Sequence, residues 1–182
     1  MLLTLFALAI LLATVGLLFN QGLWSVLLAL VNLIAAGLVA MNVFEPLAGM
    51  LGKGNTADFF ALWLAFAGSF VLLRFVTDIL SRTSVVFDPW VDRIGAIALS
   101  LVVGWVLVCF TIFSLHVAPL GRTAFNGAFM ETPDSIMLGV GPDRLWLAFI
   151  HRQSQSALGR GPDQVFDPHG EFIYKYATRR GS

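Results

Sequence analysis

Arg74 and Asp78 stand four residues apart inside an otherwise apolar stretch, the spacing that puts two side chains on one helix face. Opposite charges there make an ion pair, or a charged step in a path for something polar. Both readings stand, because an ionisable group within hydrocarbon is costly and marks function by default. Asn32, in the middle of another apolar run, adds an amide that needs a partner on a neighbouring helix or lines the same path. Catalytic sets are missing from the chain. His116, His151 and His169 are too widely spaced for a His-Glu-x-x-His metal site, and His116 is read as packing at a helix end. Gly159-Arg160-Gly161-Pro162 lacks the lysine and the strand-to-helix setting of a phosphate loop, and no Gly-x-Ser-x-Gly elbow occurs. Ser69 and Ser100 have no mid-helix histidine to make an intramembrane serine protease. Cys109 is the single cysteine, which excludes an intrachain disulfide and a multi-cysteine metal site. The expectation is a protein with no catalytic activity, no metal and no cofactor.

Such groups need long apolar elements to hold them, and the chain supplies these. Of 182 residues, 58% are hydrophobic and only 12% charged. A soluble domain carries roughly a quarter charged residues, so this composition is that of an integral membrane protein. Eleven basic and eleven acidic side chains cancel, with no basic block. That excludes a nucleic-acid footprint and a polybasic lipid-binding cluster.

Four spans are expected, at about 2–19, 23–44, 59–80 and 94–117. Each approaches or exceeds the ~20 residues that cross ~30 Å of hydrocarbon at ~1.5 Å per residue. The first has no basic lead-in or cleavage site and is read as a retained span. Asn20-Gln21-Gly22 makes spans one and two an antiparallel hairpin. Residues 45–58 carry Pro46 and three glycines and are read as a loop, with Thr56 or Asp58 capping span three. Asp92 is placed to cap span four, and Trp90 to anchor it at headgroup depth. Ala96, Ser100 and Gly104 recur every fourth residue, as do Ala61, Ala65 and Ser69 in span three. Small strips let helix backbones approach closely, so spans three and four are expected to pack together.

The character changes after Pro119: residues 120–182 hold thirteen of the twenty-two charges. This is read as an extramembrane polar tail with one short amphipathic helix at 143–158, capped by Asp143 and stopped by Gly159. Trp146, Phe149 and Ile150 form its apolar face, suited to the membrane surface or to docking on a partner. Phe172 to Tyr176 alternates weakly, as an added strand or plain tail would. Four spans place both termini on one side. Lys53 and Arg122 balance Arg82 and Arg93 across the membrane, and the tail's further arginines tip the C-terminus towards the cytoplasm.

Gly22-Leu23 opening span two, the Pro46 segment, and Val91-Asp92-Arg93-Ile94-Gly95 opening span four coincide with four short-looped spans. Together they resemble the colicin V production protein (CvpA) family over about residues 1–119. Asp92, Arg93 and Gly95 are its most telling part, with Gly22 beside them. Two positions depart from the family's usual pattern: Gln21 stands for an arginine, and Val103-Gly104 for an Arg-Gly pair. The resemblance implies an all-α, four-transmembrane-helix bundle in the bacterial inner membrane, linked to bacteriocin export and envelope homeostasis, with channel- or transporter-like behaviour through a homo-oligomer. The rival is a non-catalytic accessory or scaffold subunit, bound to other membrane proteins through its helix faces and tail.

Overall fold

The computed structural model describes residues 2–52, 54–81, 85, 87–120, 124–127, 139–155, 165–168 and 170–179. Six α-helices form among them: α1 (Leu2–Leu18), α2 (Leu23–Leu51), α3 (Asn55–Leu80), α4 (Pro89–Val117), α5 (Pro142–Ser154) and α6 (Phe172–Arg179), with a 3-10 turn at Ala124–Gly127. No strand occurs among the described residues. Helices α2, α3 and α4 are each long and apolar enough to cross a membrane, and α1 is a shorter apolar helix of 17 residues. The protein is an all-α membrane bundle.

Several helix boundaries differ from the sequence reading, those of α2 and α3 among them. The second helix does not stop at Phe44 but runs on to Leu51 with Pro46 inside it. A proline there removes one backbone hydrogen bond and crowds the preceding turn. Phe44 and Ala48, on either side of it, are nonetheless buried. Tertiary packing on both flanks outweighs the local break. Only three residues separate the third helix from α2, and Gly54 rather than Thr56 or Asp58 stands at its N-cap without a side-chain acceptor.

The pairing also differs. Leu23, which opens α2, touches Asp92 in the first turn of α4, so these two helices run parallel. Helix α4 sits between α1 and α2, and α3 packs mainly on α2, making only sparse contact with α4. Spans three and four therefore do not form the expected pair. Ala96, Ser100 and Gly104 are buried as expected, but Gly104 faces α1: a Cβ there would stand 3.3 Å from the Leu11 carbonyl oxygen. Ala61 is buried, and Ala65 and Ser69 are half-buried. A small-residue strip specifies close approach and says nothing about which neighbour approaches.

The bundle interior is aromatic. Phe66 stacks on Phe110 at 4.1 Å between centroids, and Trp63 meets Phe110 edge-on. Trp63 also donates its indole N–H to Ser114 Oγ at 3.0 Å, a polar tie from α3 to α4. Such pairs add a little beyond the area they bury.

The C-terminal helices join this interior, so the tail is not a separate polar appendage. Helix α5 begins at Pro142 behind a left-handed Gly141, so Asp143 is not its cap, and it ends at Ser154. The expected stop, Gly159, and the Gly159–Pro162 stretch lie outside the described residues, as do Lys53, Arg82, Arg122, His169 and Arg180. Trp146 and Ile150 are buried against the protein's own bundle, and Phe149 is half-buried beside them. Phe172 to Tyr176 is neither strand nor loose tail but the start of α6. Asp167 Oδ1 accepts the backbone N–H groups of Glu171 and Phe172 at 2.7 and 3.2 Å, capping the helix. Phe172 and Tyr176, one turn apart, are both buried, with Phe172 packing on Phe113 and Phe44.

Candidate functional site

Towards one end of the bundle, polar side chains of α2 and α3 meet in a connected seam. Asn32 lies nine residues into α2, ~14 Å from Leu23 along the axis and so about halfway across ~30 Å of hydrocarbon. It is 2% exposed and donates from Nδ2 to Thr77 Oγ1 on α3 at 2.8 Å. Thr77 Oγ1 donates back to the Arg74 carbonyl at 3.0 Å. The Arg74 guanidinium then spans to α2, donating from Nη1 to the Ser25 carbonyl at 3.2 Å and from Nη2 to Ser25 Oγ at 2.9 Å. Its Nε meets Asp78 Oδ1 at 3.2 Å. Ser25 Oγ in turn donates to Gln21 Oε1 at 3.3 Å.

The expected Arg74–Asp78 ion pair is therefore present, and Asn32 belongs to the same seam. Arginine suits this position because its planar fork can hold three partners at once. The Arg74 and Asp78 side chains are 29% and 54% exposed in the bundle, on its outer side rather than sealed within it. Beside the seam, Trp24, Leu28, Thr77, Leu80 and Ser81 line an open groove of about 330 Å³. Trp24 closes one wall by donating its indole N–H to Ser81 Oγ at 2.8 Å. The result is a row of donors and acceptors running from mid-bilayer to the end of the bundle. It contains no activated nucleophile.

The same end fixes how α2 and α4 cross. Asp92 does not cap its own helix: Asp88 does that, accepting the Trp90 N–H at 3.0 Å, with Pro89 in the first turn. Proline needs no N–H partner at that position, which explains the early start. Asp92 instead reaches across and accepts the Leu23 backbone N–H at 2.9 Å, capping α2 from α4. Gly22 permits this twice over. Its φ is +79°, and a Cβ there would stand 3.3 Å from Asp92 Oδ2. Gly95 faces the Leu23 side chain, where a Cβ would come within 2.9 Å of Cδ2. Gly22, Asp92 and Gly95 are thus one joint, while Arg93 is exposed beside it and Trp90 projects outward as an anchor would. Asp92→Ala is expected to lower bundle stability by about 0.5–2 kcal/mol, the range for a lost cap acceptor. Asp92→Asn, which keeps one acceptor oxygen, should lose less. Thermal unfolding in detergent measures both.

The opposite end holds a group that the spacing of the histidines concealed. His116, at the last turn of α4, is not packing alone: its Nε2 meets Asp143 Oδ2 of α5 at 3.0 Å, and both side chains are 5% exposed. Burial by itself would raise the Asp143 pKa. The hydrogen bond and charge of His116, with backbone N–H groups at the start of α5, outweigh that and hold it below the ordinary 3.8. The two residues lie 27 positions apart with a polar segment between, so no local signal links them. Three residues beyond Asp143 along α5, the Trp146 ring fills a notch at Gly37 of α2, where a Cβ would fall 2.5 Å from Cη2. Cys109 is buried two turns below His116 on the same face of α4.

The family model described as colicin V production protein matches residues 3–132, more than half of the chain. The match takes in all four spans and ends before α5. No curated protein and no solved structure matches.

Proposed function

The chain belongs to the colicin V production protein family, and from that membership we propose that it supports bacteriocin export or envelope homeostasis as a non-catalytic, self-associating, channel- or transporter-like element of the bacterial inner membrane. The seam from Asn32 to Asp78 carries this reading. Polar and charged groups at membrane depth are retained where something polar must be met. A single bundle cannot enclose an aqueous lane, since Phe44, Phe66, Phe110 and Phe113 fill its interior. The lane lies instead on the outer side of α2 and α3, where the groove opens. Leu64, Val71, Leu72 and Phe75 leave an exposed apolar face along α3. A second copy seated on that face would close the seam from lipid. Both termini then lie on the cytoplasmic side.

Reconstitution into liposomes tests it. Wild type is expected to pass small ions or solutes, and Arg74→Leu to cut that flux about tenfold or more, the factor that ~1.4 kcal/mol on a barrier produces. No flux from wild type, or equal flux from a folded Arg74→Leu protein, refutes the proposal.

The scaffold reading has lost one of its supports, because Trp146 and Ile150 are already buried against the protein's own helices. The α3 face still serves it. Gentle extraction followed by mass measurement separates the two: a homo-oligomer favours the channel, and stoichiometric foreign subunits favour the scaffold.

A further inference from the structure

We propose that the His116–Asp143 contact is a latch that holds α5 and α6 as a lid against the end of α4, and that neutralising its carboxylate frees the lid. This stands apart from the flux reading above and survives its failure.

Asp143 carries the only buried carboxylate among the described residues, and His116 is its one side-chain partner there. The rest of the lid's seat is aromatic: Trp146 on Phe110 at 5.4 Å, and Phe172 on Phe113 at 5.2 Å. Two polar atoms in that seat, Asp143 Oδ1 and Trp146 Nε1, are buried with no hydrogen-bond partner. A buried orphan favours the open state, where water can reach it, and at Asp143 the His116 bond is what offsets it. Helices this short are also marginal without packing: α5 has 13 residues and α6 has 8. A released lid therefore unravels as well as moves.

Other charged and titratable groups lie on the elements around the pair. On α5, Arg144 and Arg152 are exposed, and His151 Nδ1 contacts the Phe166 carbonyl at 2.8 Å. From α4 comes the Cys109 thiol, close enough to feel the Asp143 charge, and Tyr176 is buried on α6. Glu45 of α2 binds Lys175 of α6 at 3.2 Å, an exposed pair screened by solvent.

The sign follows from Asp143's lowered pKa. Its contribution is present above the ordinary carboxylate value and is lost as pH falls through the lowered one. The lid is closed at neutral pH and opens in acid.

Cys109, the single cysteine, reports the opening in the full-length protein in detergent or nanodiscs. At neutral pH, Asp143→Asn and His116→Leu are expected to speed its labelling by a water-soluble maleimide about tenfold or more, the scale for removing one partner of a buried charged hydrogen bond. The exchanged double variant His116→Asp with Asp143→His should recover protection. Hydrogen exchange provides the second measurement, and needs no variant. As pH is stepped down through the carboxylate range, residues 142–154 of wild type should lose protection while α2 and α4 keep theirs. Unchanged labelling in the single variants, or acid exchange that leaves 142–154 protected or spreads evenly over all helices, overturns the latch.

Discussion

Trp146→Ala is expected to lower the stability of the folded chain by about 2–4 kcal/mol, somewhat under the ~3–5 kcal/mol of a large aromatic truncated in a water-exposed protein. The discount arises because lipid tails solvate part of the exposed surface, while the lost contacts and the void remain. The ring is 4% exposed, lies edge-on to Phe110, and abuts Phe149 at 5.7 Å. Trp146→Phe keeps much of that packing and deletes an indole N–H buried without an acceptor, so its cost should be far smaller. The notch offers an independent check from the other side. At Gly37 a methyl group would fall 2.5 Å from Trp146 Cη2 and 2.6 Å from Cζ2, displacing the ring. Gly37→Ala should therefore mimic Trp146→Ala and add little to it, the non-additivity expected of residues that share one contact. Thermal unfolding of the four proteins in detergent decides it; independent, additive losses would refute the notch.

Gly104→Val is expected to strip α1 from the bundle at a cost of about 1–3 kcal/mol or more, the range for overpacking a tight contact. What matters is the nature of the neighbour. At Gly104 an added Cβ meets Leu11 Cδ1 at 3.0 Å and, behind it, the Leu11 backbone, with the carbonyl oxygen at 3.3 Å and Cα at 3.4 Å; the methyl can rotate away but the backbone cannot. At Gly95 the nearest atoms are the methyl ends of Leu23, which can rotate. Gly95→Ala should then be mild although its Cβ clearance is shorter. Protease accessibility of α1, with unfolding temperature alongside, measures the contrast. Equal effects at the two glycines would show that α1 is not seated on this strip.

Much of this molecule is written locally along its chain. Four apolar segments, their membrane class and the Arg74–Asp78 pair follow from run length and i, i+4 spacing, because a helix in lipid must satisfy its own backbone wherever it lies. The amphipathic stripe of Trp146 and Ile150 was legible as a face needing cover, though not what covers it. Contacts between distant positions were decided only by the fold. A carboxylate such as Asp92 can cap whichever helix terminus comes within reach, and the crossing of α4 over α2 brings Leu23 there instead of its own first turn. Pro46 continues a helix because Phe44 and Ala48 are buried beside it. Asp143 finds His116, and Phe172 turns helical rather than extended, because the end of α4 offers each a buried partner. Periodicity records which face of a helix must be covered; only the assembled bundle determines which neighbour covers it.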